Sequence, residues 1–172
     1  MNIIETIKDR RSIRKYKSEA VPREIIEKIV DAGLYAASGM NRQQTIVVAI
    51  TDLETRNRLA KDNASIMGRD GDPFYGAPAV LVVLAAADCF TGIYDGSLVM
   101  GNLMLAAHSL GVDSCWIHRA KETFEMPQWK QFLKDLGVEG DYIGIGNCIL
   151  GYRDMEYPKA PERKEKRVFF AE

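Results

Sequence analysis

The sequence has few cysteines and no excess of basic charge, and both absences narrow the possible functions. Its three cysteines, Cys89, Cys115 and Cys148, are too widely spaced for a zinc finger or an evident disulfide framework. We therefore expect no metal site, and buried reduced thiols in a cytoplasmic protein. The net charge of −1 over 172 residues disfavours a nucleic-acid-binding domain, which usually carries a basic excess. Any basic site in this chain must be local.

Long hydrophobic runs and a signal sequence are absent as well. The apolar run 77–87 is too short to cross a bilayer, so it is predicted to be a buried strand. Residues 1–9 are amphipathic and lack the apolar core of a signal peptide. A content of 47% hydrophobic and 27% charged residues is typical of a globular protein. The length predicts one domain, residues 1–172. Because no apolar run is long enough to cross a bilayer, we expect no membrane association.

The periodicity of apolar residues predicts helices that alternate with strands. The helix 95–110 is apolar nearly all round, so we expect it to be central and buried, while residues 65–76 should form an irregular, mobile loop. The predicted class is α+β, with helices over a mainly antiparallel central sheet. Helices are expected at about 3–9, 22–37, 52–62, 95–110 and 127–137, and strands at about 45–50, 79–85, 112–117 and 143–150.

Gly144 and Gly146 lie inside the last predicted strand. They lack the third glycine of a dinucleotide-binding fingerprint, and no strand leads through a glycine-rich turn into a helix, so a Rossmann site is not indicated. We interpret both as strand glycines that allow another part of the backbone to approach closely.

Two basic clusters are candidates for a local anion site. The segment Arg10-Arg11-Ser12-Ile13-Arg14 places three arginines and a hydroxyl within five residues, and a forked guanidinium matches phosphate geometry. A second basic run, Arg163-Lys164-Glu165-Lys166-Arg167, lies near the C-terminus. Taken alone, the first is as well explained by a solvated helix end and the second by a solvated tail.

Two further segments are candidates of a different kind. The turn 38–43 offers hydroxyl, amide and backbone N–H groups after a helix. The end of a predicted strand carries Cys115, Trp116 and His118. Because residues three apart in a strand point to opposite faces, Cys115 and His118 should not meet. A cysteine–histidine nucleophile and a metal half-site are therefore both disfavoured.

In this order and with this spacing, the motifs resemble those of the nitroreductase family, the FMN-dependent NAD(P)H oxidoreductases. The resemblance covers essentially the whole chain and is greatest to the short, single-domain members. It implies an FMN-dependent nitroreductase-like fold and a homodimer with flavin at the interface, each C-terminal tail reaching the partner subunit. The motifs that carry it are Arg10-Arg11-Ser12-Ile13-Arg14, Ala37-Ser38-Gly39-Met40-Asn41-Arg42-Gln43, Phe74-Tyr75-Gly76-Ala77-Pro78, Gly111-Val112-Asp113-Ser114-Cys115-Trp116-Ile117 and Arg163-Lys164.

The resemblance implies cofactor contacts in both basic clusters. Arg10 and Ser12 match phosphate-binding residues, and Arg11 belongs to the same segment. Arg14 matches a residue near the pyrimidine edge of the flavin, where a fixed cation would stabilise the anionic reduced ring. The pair Arg163-Lys164 matches C-terminal phosphate contacts. Two basic clusters that converge on a phosphate dianion would explain local basicity in a chain with almost no net charge.

The resemblance also implies contacts with the flavin ring. Trp116 and Ile117 match a strand end whose backbone passes the reactive ring nitrogen, and Asn63 matches a polar residue at the flavin edge. Departures from the family pattern at Ala37 and in the pair Gln44-Thr45 affect the wall supplied by the partner. The residues that match the segment reaching the flavin from the partner subunit are Ser38, Asn41 and Gln43.

The implied function is two-electron transfer from NAD(P)H to nitroaromatics, quinones or other flat electron-poor acceptors, with ping-pong kinetics. No catalytic acid or base side chain is predicted, because the cofactor carries the chemistry and the protein binds and tunes it. One alternative is a flavin-binding or flavin-processing protein without reductase activity. Another is an interaction module that uses the basic tail. The apolar tail residues 168–170 favour burial against a partner subunit or against their own domain.

Overall fold

The computed structural model describes residues 2–171, which fold around one sheet with helices on both faces. Its elements are α1 (Ile3–Asp9), α2 (Arg23–Leu34), a 3₁₀ turn (Gly39–Asn41), β1 (Thr45–Ile50), α3 (Leu53–Met67), β2 (Ala79–Ala86), α4 (Gly92–Ser109), β3 (Asp113–Ile117), α5 (Ala120–Glu125), α6 (Pro127–Asp135) and β4 (Tyr142–Gly151).

The four strands form an antiparallel sheet in the order β1-β2-β4-β3. The α+β class and the mainly antiparallel sheet predicted from the sequence are therefore confirmed. Strand β3 lies at one edge, where Ser12 forms a parallel bridge with Ser114. Within residues 2–171, no helix is long and apolar enough to span a membrane.

Side chains of β2 alternate between two hydrophobic cores, as expected for a strand buried on both faces. Val80, Val82 and Leu84 join the core that includes Leu59 of α3 and Trp129 of α6. The core on the other face holds α2 and α4 against the sheet, and its β2 members are Ala79, Leu81 and Val83. Strand β2 therefore contributes to the cores on both faces of the sheet and is buried along nearly its whole length.

Helix α4 is central but only partly buried, which corrects the expectation that it is enclosed on all sides. Val99 and Leu103 face the core, while Ile93, Tyr94 and Leu98 are 51–71% exposed. The reason is architectural: one sheet and α2 cover only part of the helix. One side of α4 therefore leaves an apolar surface exposed.

The predicted close approach of another part of the backbone is confirmed at Gly144, while at Gly146 a side chain approaches instead. A Cβ on Gly144 would overlap the Ala120 carbonyl, and one on Gly146 would lie 2.7 Å from Trp116 Nε1. The register shifts between Val83 and Leu84 opposite these glycines, as in a β-bulge. The bare backbone of β4 thereby lets the start of α5 and the Trp116 indole pack directly on the sheet.

Helices α3 and α5 differ most from the predicted pattern, while α2, α4 and α6 have one end a few residues from the predicted one. Helix α3 is capped by Asp52, as expected, but continues beyond residue 62 to Met67 and ends at Gly68 in the left-handed conformation. Helix α5 was not predicted at all, because its six residues are too few to show a hydrophobic period.

Candidate functional site

The segment 10–14 lies against the free edge of β3. The Ile13 N–H donates to the Ser114 carbonyl at 3.1 Å, and the Ile13 side chain is fully buried. Its neighbours Ser12 and Arg14 are half-buried and exposed, respectively. The buried isoleucine therefore fixes the segment while the polar side chains on either side of it remain available to a ligand.

The free edge of β3 continues past this contact. The backbone groups of a strand alternate between its two sides. Because the Ser114 carbonyl faces Ile13 rather than β4, Trp116 presents its backbone N–H and C=O at the same outer edge. Ile117 faces the other way, and its carbonyl accepts from Asn147 Nδ2 at 3.4 Å. Of the two predicted ring contacts, Trp116 is therefore the one with outward backbone groups.

A groove of about 350 Å³ runs along this edge, within the size range of small-molecule sites. The structure brings together three predicted site residues there: Arg14, Trp116 and Ile117. Sequence reasoning missed the opposite wall, residues 69–73 with Tyr75, and also missed Arg119 at the strand end. Tyr75 belongs to the motif 74–78, but that motif gave it no role in the site. No local motif marks residues 69–73 or Arg119, because tertiary contacts place them in the groove.

The wall at residues 69–75 is held by a buried arginine. Arg56 donates to the Ala77 carbonyl at 2.8 Å and to Asp72 Oδ2 at 2.7 Å. Asp72 also accepts from the backbone N–H groups of Phe74 and Gly76. The irregular loop expected at 65–76 is therefore shorter than predicted, because α3 includes the residues up to Met67. The polar network also holds the part after Gly71, which was expected to be mobile.

Unpaired buried donors mark the junction between segment 10–14 and β3. Arg10 Nη1, Arg11 Nε and Ser114 Oγ are buried and have no hydrogen-bond partner within residues 2–171. Buried polar groups are nearly always paired in proteins, so each needs an acceptor. Arg11 differs from Arg10 because its Nη1 donates to the Lys8 and Arg10 carbonyls at 2.8 and 2.7 Å. Arg11 thus mainly satisfies carbonyl groups at the end of α1. Arg10 and Ser12 are therefore the better candidates for anion ligands.

Asn63 lies behind the groove rather than on its surface. It is fully buried, its Nδ2 donates to the His118 carbonyl at 2.8 Å, and its Oδ1 accepts from Arg119 Nε at 3.1 Å. Both ends of the amide are thus used within the protein. The direct ligand contact implied for Asn63 is not supported by this geometry, and Asn63 instead positions the turn after β3.

The turn 38–43 lies far from the groove of the same chain. Ser38 Oγ accepts from the Gln43 N–H at 3.2 Å, and Gln43 Nε2 donates to Asn41 Oδ1 at 3.0 Å, so the three predicted residues form one unit. This unit precedes β1, at the edge opposite β3. Three strand spacings correspond to about 14 Å. A single chain therefore does not bring Ser38, Asn41 and Gln43 together with Arg14.

The C-terminal basic pair does not line the groove. Arg163 and Lys164 are exposed and lie outside helices and strands. Neither forms an ion pair within residues 2–171. Val168, Phe169 and Phe170, further along this tail, are 70–85% exposed. The tail thus has cationic and apolar side chains with no surface of its own chain to receive them.

The thiols do not provide a nucleophile. All three cysteines are free and buried. Burial raises the pKa of the Cys115 thiol, against the lowering effect of Arg14 and Ser12, and raises the pKa of Cys148 to about 12. Both are therefore neutral near pH 7 and unreactive. Among residues 2–171, no group of three or more His, Cys, Asp or Glu side chains is arranged to hold a metal ion.

Fold and site together define an α+β protein with a cationic ligand groove along the open edge of an antiparallel sheet. The model of the nitroreductase family matches the chain over residues 7–73 and 66–152. The chain belongs to the nitroreductase family.

Relatives and solved structures agree with this assignment. A protein of Methanothermobacter thermautotrophicus is 32% identical over 120 residues, covering 67% of this chain and 60% of the relative. The NADPH-flavin oxidoreductase of Vibrio harveyi is 33% identical over 128 residues, covering 67% and 53%. The chain thus spans little more than half the length of these two relatives. A nitroreductase with bound FMN from Bacteroides fragilis is 27% identical, covers 100% of both chains and superposes with a TM-score of 0.87.

Proposed function

We propose that this chain is an FMN-dependent oxidoreductase that takes electrons from NAD(P)H and reduces flat, electron-poor acceptors such as nitroaromatics and quinones. Family membership and the FMN-bound relative support this function. The observation that carries it is the groove itself, where the Arg14 guanidinium and the outward backbone of Trp116 line the same space. Arg14 supplies a cation and the strand supplies a hydrogen-bonding edge, the two groups that a polar planar ring requires.

The donors at the junction fit the phosphate of FMN. Arg10 Nη1 and Ser114 Oγ are buried without partners, and Ser12 pairs with Ser114 through the backbone. Phosphate oxygens accept charge-assisted hydrogen bonds from such donors. We assign Arg10 and Ser12 to the phosphate, and Arg11 to holding the end of α1 beside it.

Bound FMN would accept hydride from NAD(P)H and pass two electrons on to the acceptor. The chain's own contribution is binding and electrostatics: Arg14 stabilises negative charge in the groove, and the Trp116 N–H fixes orientation at the strand edge. We identify no side chain in the groove as the source of the final proton, and assign that role to solvent. Donor and acceptor would use the same groove in turn, which would give ping-pong kinetics.

The proposed functional unit is a homodimer. The exposed apolar residues of α1 and α4 offer a surface for a second copy, namely Ile3, Ile4, Ile7, Ile93, Tyr94 and Leu98. Apolar patches of this kind mark interaction sites. In the dimer, Ser38, Asn41 and Gln43 and the pair Arg163-Lys164 would reach the groove of the partner, since they do not reach their own. We also propose a cytoplasmic location, because all three cysteines are free.

The visible spectrum and anaerobic reduction test this function. Purified protein should show bound flavin near ~450 nm, a property of the cofactor, and NADH or NADPH should bleach it without oxygen. A nitroaromatic should restore the colour, and initial-rate plots at varied donor concentrations should be parallel. Flavin that neither nicotinamide reduces would favour the flavin-binding or flavin-processing alternative. Protein that refuses added FMN would instead favour an interaction module.

A further inference from the structure

Arg119 stands at the end of the groove in a conformation that arginine rarely adopts. Its φ is +70°, in the left-handed region that disfavours residues with a Cβ. Backbone strain of this kind persists only where the surroundings enforce it, and it concentrates at functional sites. A glycine would meet the same backbone requirement without strain, so the arginine side chain needs an explanation of its own.

A buried amide holds the Arg119 side chain at one point and leaves its end free. Asn63, fully buried, accepts from Arg119 Nε at 3.1 Å and donates to the His118 carbonyl at 2.8 Å. The two terminal guanidinium nitrogens have no hydrogen-bond partner within residues 2–171. The guanidinium is therefore anchored by its inner nitrogen, while its outer fork can bind an anion in two-point fashion.

The groove around Arg119 has an unbalanced positive charge. Arg14, Arg69 and Arg119 line it, and none forms an ion pair within residues 2–171. Of the two acidic residues in the lining, Asp72 is already paired with Arg56. Asp70 alone cannot neutralise three arginines. The cofactor phosphate is assigned to Arg10 and Ser12, and the flavin ring to Arg14. Arg69 and Arg119 are therefore the groove arginines that remain available to another ligand.

We propose that Arg119 is a specificity-determining residue that binds an anionic group of a substrate, a carboxylate or phosphate, at the end of the groove. The inference rests on the proposed function and adds a substrate class to it. The anion has two chemical sources, a carboxylate on the electron acceptor or the extra phosphate that distinguishes NADPH from NADH. Arg69, on the facing wall, adds a second cation to the same region.

The variant Arg119→Gly tests the proposal, because glycine keeps the left-handed backbone and removes the side chain, with its cation and its hydrogen bond to Asn63. Calorimetry on the flavin-loaded protein would compare 4-nitrobenzoate with neutral 4-nitrobenzamide, and NADP⁺ with NAD⁺. The parent protein should prefer the more anionic member of at least one pair. Arg119→Gly should reduce that preference about tenfold, the effect of losing one charge-assisted contact. Arg119→Lys should restore part of it, and steady-state kcat/KM ratios should follow.

The control is Lys121→Gln, which removes an exposed cation of α5 outside the groove and should leave both preferences unchanged. A loss confined to 4-nitrobenzoate assigns the anion to the acceptor, and a loss confined to NADP⁺ assigns it to the donor. No preference in the parent protein, or an equal preference in Arg119→Gly, overturns the proposal. Failure of the flavin to be reduced by NAD(P)H would refute the proposed function separately, since the binding measurements do not depend on turnover.

Discussion

The substitution Arg56→Met tests whether one buried guanidinium holds the wall of the groove. Arg56 is 4% exposed and donates to the Ala77 carbonyl and to Asp72 Oδ2 at 2.8 and 2.7 Å. Removing one partner of a buried ion pair costs about 3–5 kcal/mol. Asp72 retains two backbone N–H donors and is partly exposed, so we expect the lower end of that range, about 3 kcal/mol.

A loss of about 3 kcal/mol corresponds to a fall of about 6–12 °C in melting temperature for a domain of this size. Unfolding in urea would measure the free energy directly. The matched control is Arg58→Met, which removes a cation 5.3 Å from the Trp129 ring centroid on a surface outside the groove. That change should cost less than about 1 kcal/mol, because the Arg58 side chain is exposed.

A double-mutant cycle would assign the loss to the ion pair. Arg56→Met and Asp72→Asn share a contact, so their combined effect should differ from the sum by at least about 1 kcal/mol. FMN affinity should fall in the same variants, because the wall facing Arg14 loosens. Coupling near zero, or a loss in Arg56→Met no larger than in Arg58→Met, would refute the role given to Arg56.

Three further changes have separate readouts. Arg10→Ala should raise the dissociation constant of FMN about 30-fold, since about 2 kcal/mol of bonding to a charged group is lost; unchanged affinity would contradict its phosphate role. Asp95→Ala removes the acceptor for the Gly39 N–H and the Thr91 hydroxyl and should lower the free energy of unfolding by about 1–3 kcal/mol. An unaltered urea midpoint would exclude that anchoring role. Burial raises the pKa of Cys148 from 9.0 to about 12, so its stabilising effect is complete below pH 9 and is lost as pH rises towards 12. Cys148→Ala should flatten this decline in thermal scans; an identical decline would show that other groups cause it.

The strands were predictable because their residues carry the information locally. The β-branched run Thr45–Ile50 has the predicted bounds, and the apolar run before residue 87 became β2, which is buried on both faces. The end of α3 was not predictable in the same way. The helix ends at Gly68 in the left-handed conformation. The loop beyond it is held by Arg56 and Asp72, sixteen residues apart, and no periodicity predicts such a contact.

The residues of the candidate site likewise fall into those that local composition predicts and those that tertiary contacts determine. Segment 10–14 was found because its composition is unusual, and the structure places Arg14 in the groove. The individual orientations could not be read from composition: Arg11 turns back onto α1, and Asn63 is buried behind the groove. Arg119 was missed because its left-handed backbone is imposed by tertiary packing at a residue type that normally avoids it.

The separation of the site residues follows from the sheet itself. Segment 10–14 pairs with β3 at one edge, and the turn 38–43 leads into β1 at the other. Strands β2 and β4 lie between β1 and β3, which are therefore about 14 Å apart. Folding of a single chain therefore does not bring these two segments together. The apolar faces of α1 and α4 and the Phe169–Phe170 tail remain exposed in the same chain. In the proposed homodimer, one association would bury these faces and bring each turn 38–43 to the partner's groove. Burial of apolar surface and completion of the site are then the same event.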